Sequence, residues 1–168
     1  MKEKLKVRVG QFWKRRDGRI VRIDAISKLP NDDYFLLIND YTTRDSFGLD
    51  LTEVTHDLIE PIISIYAAGP MSGYPDNNYP AFNEESAILR NQGFHVENPA
   101  QNPDPHDKCW NGYMRTAIRQ LIECDRIHLL ENWSKSRGAL VEYKLAKGLG
   151  LEITFQNGQA ASEEINVK

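Results

Sequence analysis

Residues 126–155 read RIHLLENWSKSRGALVEYKLAKGLGLEITF, and this stretch decides the fold. Arg126–Leu130 is a short apolar run of strand type, followed by a polar segment up to Ser136. From there Ala139, Tyr143, Ala146 and Leu149 recur at helical spacing, with Glu142 on the same stripe. Gly148 or Gly150 ends the helix, and Leu151–Phe155 returns to a strand pattern. A strand–helix–strand unit of this kind joins parallel strands.

Upstream the same alternation holds. Ile62–Ala67 reads as a buried strand, followed by Gly69-Pro70-Met71-Ser72-Gly73. Pro80–Asn91 reads as a helix, with Pro80 in its first turn and Gly93 at its end. Phe94–Glu97 is a strand, 98–107 a Pro/Asn/Asp loop, and Lys108–Glu123 a helix. The inner stripe of that last helix is Trp110, Met114, Ala117, Ile118 and Leu121. The expected fold class is α/β: a Rossmann-like or flavodoxin-like parallel sheet of four or five strands with flanking helices, over residues 61–156. Residues 157–168 read as a flexible tail.

Residues 1–60 differ. Gln11–Arg15 and Arg19–Ala25 flank Arg16-Asp17-Gly18, and Asp-Gly is a strong hairpin signal. Tyr34–Asn39 and Ser46–Leu51 add two further short strands, and Pro61 closes the region. This predicts a small antiparallel β module of SH3-like barrel type. Its charge is polarised: residues 1–28 carry ten basic and three acidic side chains, and 29–60 one basic and eight acidic.

The 168 residues, 40% hydrophobic and 27% charged, suffice for a buried core. A net charge of −3 argues against a globally basic nucleic-acid binder. Lys14-Arg15-Arg16 beside Phe12 and Trp13 offers nucleic acid a contact, but a solvated hairpin is the favoured reading. No apolar run approaches a membrane span, and no signal peptide is expected. Cys109 and Cys124 form no paired motif and read as reduced thiols of a cytoplasmic protein. His56, His95, His106 and His128 make no metal pattern, so neither metal nor cofactor is expected.

In parallel sheets ligands bind at the carboxyl ends of the strands. That puts two loops on one rim. Gly69, Pro70, Met71, Ser72 and Gly73 can present backbone N–H groups to an anion, or simply form a tight turn. In Asn132-Trp133-Ser134-Lys135-Ser136-Arg137-Gly138, Ser134 or Ser136 suits a helix cap. Their hydroxyls, with the helix start and Lys135 or Arg137, equally suit a phosphate, and one group can do both. Asn132 and Trp133 lie on the rim as ligand contacts. Tyr74, Asp76, Asn77 and Asn78 form a polar loop able to close over a site, and Asp125 reads as structural.

Glu142 is the sharpest residue. A carboxylate on a core-facing stripe is costly unless paired, hydrogen-bonded or doing chemistry. A capping box would put glutamate three residues after the cap, and those positions hold Ala139 and Arg137. Two readings remain: a buried structural carboxylate bonded to a tyrosine hydroxyl, or a nucleophile that attacks an anomeric carbon and forms a glycosyl ester. Tyr66, mid-strand before the first rim loop, is a core aromatic or the hydroxyl that orients Glu142.

Ile65-Tyr66-Ala67-Ala68-Gly69-Pro70-Met71-Ser72-Gly73, with Trp133-x-x-Ser136-x-Gly138-x-x-x-Glu142, resembles the nucleoside 2-deoxyribosyltransferase-like superfamily over about residues 62–156. Its nearest likeness is to an uncharacterised phage and bacterial branch with a Gly-Pro-Met-Ser-Gly loop. The resemblance implies Glu142 as nucleophile, Tyr66 as its orienting partner, and a homo-oligomer in the cytoplasm (the host's, if phage-encoded). In such families the residue six before the glutamate is Asp in transferases acting on free nucleosides, and Ser in glycosidases acting on 5′-monophosphates. Here it is Ser136. The implied activity is therefore N-glycosidic hydrolysis of a (deoxy)nucleoside 5′-monophosphate. The alternatives are base exchange between nucleosides and a non-catalytic nucleotide sensor. Many relatives also carry a base-contacting Asp eight residues before the position of Asp125, where this chain has Ala117.

Overall fold

The computed structural model describes residues 8–28, 34–40, 50–52 and 58–158. The chain divides into two compact units, up to Ile63 and from Ser64. The first holds β1 (Phe12–Arg15), β2 (Ile20–Lys28), β3 (Tyr34–Asp40), β4 (Asp50–Thr52) and β5 (Leu58–Ile62). These pair antiparallel in the order β4-β3-β2-β1-β5. The Asp17-Gly18 hairpin forms as expected. Gly18 takes a φ of 87°, which only glycine adopts without steric cost, and Asp17 Oδ1 accepts from the Arg19 N–H at 3.0 Å.

One detail departs from expectation. Pro61 does not close the module before a strand; it lies within β5, opposite Trp13. β5 is an edge strand, the place where a sheet tolerates a residue without an N–H. Phe12 and Trp13 are buried, Trp13 in a core with Val21 and Ile23. Neither aromatic is therefore available beside the basic hairpin for stacking on bases. Part of the expected strand Ser46–Leu51 and all but two residues of the expected tail lie outside the described residues.

The second unit alternates strand and helix: β6 (Ser64–Ala68), α1 (Tyr79–Asn91), β7 (His95–Glu97), α2 (Trp110–Glu123), β8 (Arg126–Leu129), α3 (Arg137–Leu149) and β9 (Glu152–Phe155). All four strands are parallel, in the order β7-β6-β8-β9. The chain is thus a mixed α/β protein. The punctuation falls where the sequence puts it. Gly93 (φ 94°) follows α1, Ser136 caps α3, and Gly150 (φ 72°) ends α3 in a left-handed turn.

Central β6 is buried throughout, so its alternation serves two cores rather than core and solvent. Tyr66 and Ala68 join Ile127, Leu129, Leu121 and Ala146 under α2 and α3. Ile65 and Ala67 join Phe82, Leu89 and Val96 under α1. Each large aliphatic side chain so buried contributes about 1.5–3 kcal/mol. The α1 face also holds a polar cluster: His128 Nε2 stands 3.0 Å from Glu85 Oε1, and Gln156 Nε2 donates to Glu85 Oε2 at 2.9 Å. Asp125 is structural, as expected. Its Oδ2 accepts from the Ser64 N–H at 3.0 Å and from the Ser64 hydroxyl at 2.8 Å, tying the starts of β6 and β8.

From β6 the chain moves outward to β7, then crosses to β8 on the other side. The loops leaving β6 and β8 therefore lead to helices on opposite faces of the sheet. Such a reversal opens a crevice at the carboxyl ends of the strands.

Candidate functional site

The crevice is a cavity of about 400 Å³, within the size range of small-molecule sites. Its inner wall carries Glu142 and Tyr66. Glu142 lies on the second turn of α3, in the buried stripe with Ala139 and Ala146. Leu149, assigned to the same stripe from its spacing, is exposed, because the last turn runs past the core. The Tyr66 hydroxyl donates to Glu142 Oε1 at 2.7 Å. Burial pushes the Glu142 carboxyl up to about 7, although the bond from Tyr66 opposes the shift. The Tyr66 hydroxyl is held well above its ordinary range, first by burial and then by the nearby Glu142 charge. It therefore remains a proton donor to the carboxylate at neutral pH. A carboxylate that titrates near neutrality, is aimed by one donor and faces a cavity, suits nucleophilic or general-base work.

The start of α3 forms a second wall, with Lys135, Ser136, Arg137 and Gly138. Ser136 Oγ accepts from the Ala139 N–H at 3.3 Å. A hydroxyl that accepts as a cap keeps its own O–H to donate. The first N–H groups of a helix have no partner inside it and carry partial positive charge. Cap, helix start and two basic side chains together make this wall suited to an anion. Gly138 permits a close approach between helices, since a Cβ there would stand 3.3 Å from Met114 Sδ.

The loop after β6 supplies a third wall, with Gly69, Pro70, Met71 and Ser72. Gly69 is required by crowding. A Cβ there would lie 2.9 Å from Leu130 Cβ and 3.2 Å from Phe82 Cζ. Asn78 Nδ2 donates to the Pro70 carbonyl at 2.9 Å. Asp76, Asn77 and Asn78 all take left-handed φ values, of 47°, 50° and 61°. Such a run is rare outside glycine and concentrates backbone strain beside the cavity, which Asn77 lines.

Four residues expected at the site do not line the cavity. Gly73 is exposed beyond the turn, with a φ of 84°. Trp133 packs its ring against Tyr143 at 4.7 Å and Phe155 at 6.0 Å. Asn132 adopts the left-handed conformation that starts the turn, and its Oδ1 accepts from Lys135 Nζ at 2.8 Å. Ser134 is exposed, and the cap is Ser136.

A fourth wall, not expected from the sequence, is formed by Pro99, Asn102, Pro103 and Pro105 with Trp110, Tyr113 and Thr116 of α2. The signal was present: this loop also leaves the carboxyl end of a strand, β7. Trp110, assigned to the inner stripe of α2, is 38% exposed and lies on the rim. The Arg137 guanidinium sits 4.1 Å from its ring centroid. Ala117 lines the cavity with a methyl group.

Among the described residues, no group of three or more His, Cys, Asp or Glu side chains is placed to hold a metal, and no helix is long and apolar enough to cross a membrane. Burial raises the Cys124 thiol well above its ordinary value, so it is not a reactive thiolate.

Comparison with curated proteins finds no match to this chain. A family model described as a domain of unknown function, DUF4406, matches residues 63–155, more than half of the chain. That span contains all four strands of the parallel sheet and every wall of the cavity. The chain belongs to the DUF4406 family.

Proposed function

We propose that the α/β unit hydrolyses the N-glycosidic bond of a (deoxy)nucleoside 5′-monophosphate. The observation that carries this reading is the Tyr66–Glu142 pair, 2.7 Å apart, on the wall of a cavity that also receives the Ser136-capped start of α3. The ionised Glu142 carboxylate attacks C1′ of the sugar. A C1′–O bond forms as the C1′–N bond breaks, and the base departs with the bonding electrons and takes a proton from water. The resulting glycosyl ester is then opened by a second water, which frees the sugar phosphate and returns the carboxylate, its released proton neutralising the hydroxide left when the base was protonated. The Ser136 hydroxyl, the α3 N–H groups and Lys135 or Arg137 hold the phosphate. Gly69 to Ser72 bring backbone close to the sugar.

The test is incubation with a panel of nucleosides and 5′-monophosphates, with chromatography for free base, repeated on Glu142→Ala. Base release from monophosphates that vanishes in the variant supports the mechanism. Release that survives the substitution refutes it. A second reading, a nucleotide sensor, is favoured by one observation: Ala117 gives the departing base no carboxyl group. It predicts thermal stabilisation by nucleotides without product.

A further inference from the structure

The wall formed by the loop after β7 and the first turns of α2 has features that the sugar and phosphate do not use. Trp110 and Tyr113 are 38% and 42% exposed, large aromatic side chains on the cavity rim. Both are held despite that exposure. Arg137 stacks on Trp110, and the Tyr113 hydroxyl donates to Asp104 Oδ1 at 2.9 Å. An aromatic surface fixed in advance loses little entropy on stacking a flat ligand.

Asn102 adds a side-chain amide to this wall. Its Nδ2 donates to Gln120 Oε1 at 2.7 Å, and its Oδ1 accepts from Gln120 Nε2 at 2.8 Å. An amide pair of this kind reads the same when both partners are flipped. Glu97 breaks the symmetry. Gln120 Nε2 also donates to Glu97 Oε2 at 3.0 Å, and a carboxylate only accepts. Gln120 must therefore turn its nitrogen to Glu97, which fixes the polarity of Asn102. The loop itself is anchored by buried Asn98, whose Oδ1 accepts from the Ala100 N–H and whose Nδ2 donates to Asn83 Oδ1, both at 3.0 Å. One Asn102 N–H and one carbonyl lone pair remain for a ligand.

Resting on the nucleotide reading of this cavity, we infer that Asn102 hydrogen-bonds the heterocyclic base, between Trp110 and Tyr113, and that Gln120 and Glu97 are positioning residues that fix the direction of that bond. The base contact comes from the loop after β7, not from the helix position occupied by Ala117. A neutral amide binds the base without supplying a proton, so the contact governs which base is held.

The test measures binding of ribose 5-phosphate and the four common nucleoside 5′-monophosphates by equilibrium dialysis, for the full chain and for Asn102→Ala and Gln120→Leu. The expected result is unequal affinities in the parent chain. Asn102→Ala should weaken the preferred nucleotide about tenfold, as loss of one such bond allows, and leave ribose 5-phosphate unchanged. Gln120 does not line the cavity, so Gln120→Leu tests positioning; it should narrow the ranking with Asn102 still present. An unchanged ranking in both variants overturns the inference, as does an equal loss of ribose 5-phosphate and nucleotide binding. Cleavage that depends on Glu142 with a ranking indifferent to Asn102 sinks this inference alone. Binding whose ranking follows Asn102, without cleavage, sinks the glycosidase and leaves the base contact standing.

Discussion

The Tyr66 hydroxyl and the Glu142 carboxylate meet at 2.7 Å from a sheet strand and a helix that share one core. The bond opposes the burial that lifts the carboxyl to about 7. Two effects of opposite sign therefore set how much nucleophile exists at a given pH. Base release should rise with pH and reach half its plateau near pH 7. Tyr66→Phe removes the opposing bond, and hydrogen bonds to charged groups are worth about 1.5–3 kcal/mol. The midpoint should move up by roughly one to two pH units. A rate profile for both proteins checks this, and a downward or absent shift contradicts the assignment of Glu142.

The same carboxyl makes stability depend on pH. Its folded value of about 7 lies above the ordinary 4.5. Between those values the folded chain binds more protons than the unfolded chain. Stability should therefore fall as pH rises through that window, by on the order of 3 kcal/mol, and level off above it. Glu142→Gln keeps the shape and the Tyr66 donor but cannot ionise. It should melt with the parent protein at pH 5 and above it at pH 8. Equal melting temperatures at both pH values would show that the site is wetter than the structure indicates.

Gly69→Ala tests how tightly the first rim loop is packed. The new methyl meets Leu130 Cβ at 2.9 Å, an atom fixed to the backbone, as well as the Phe82 ring. Overpacking of this kind costs about 1–3 kcal/mol. A lower melting temperature is expected, with loss of ligand binding as Gly69 and its neighbours shift. Gly148→Ala is the control: nothing lies within 4 Å of its Cβ, and alanine favours the helix by about 1 kcal/mol.

The parallel layout was legible because α1 and α3 carry local punctuation: Pro80, Gly93 and Gly150 act through the backbone, and Ser136 through its side-chain cap. Glu142 was legible as a charge on an apolar stripe. Periodicity could not tell a core aromatic from a rim aromatic. Trp110 lies on the cavity mouth although its spacing points inward, and Trp133 packs on Tyr143 although its loop lies on the rim. Asn102 was hidden in an ordinary polar loop because its distinction comes from Gln120 and Glu97, 18 and 5 positions away. Pro61 looked like a boundary because strand-breaking is its usual effect, and only the sheet order shows that β5 is an edge.

Ser136→Asp separates the phosphate from the rest of the proposed substrate. Serine caps α3 by accepting from the Ala139 N–H, and aspartate caps a helix about equally well. The fold and the Glu142 site should therefore survive, with a melting temperature close to the parent protein's. Phosphate affinity should not survive, because a carboxylate replaces a donor where a dianion binds. Two like charges about 4 Å apart repel by about 1 kcal/mol in bulk water and several times more in a partly buried site. Monophosphate cleavage should drop by tenfold or more, mainly through KM, while unphosphorylated nucleosides gain relative to them. Parallel kinetics on a nucleoside and its 5′-monophosphate check this directly. An unchanged preference would place the phosphate away from the α3 start.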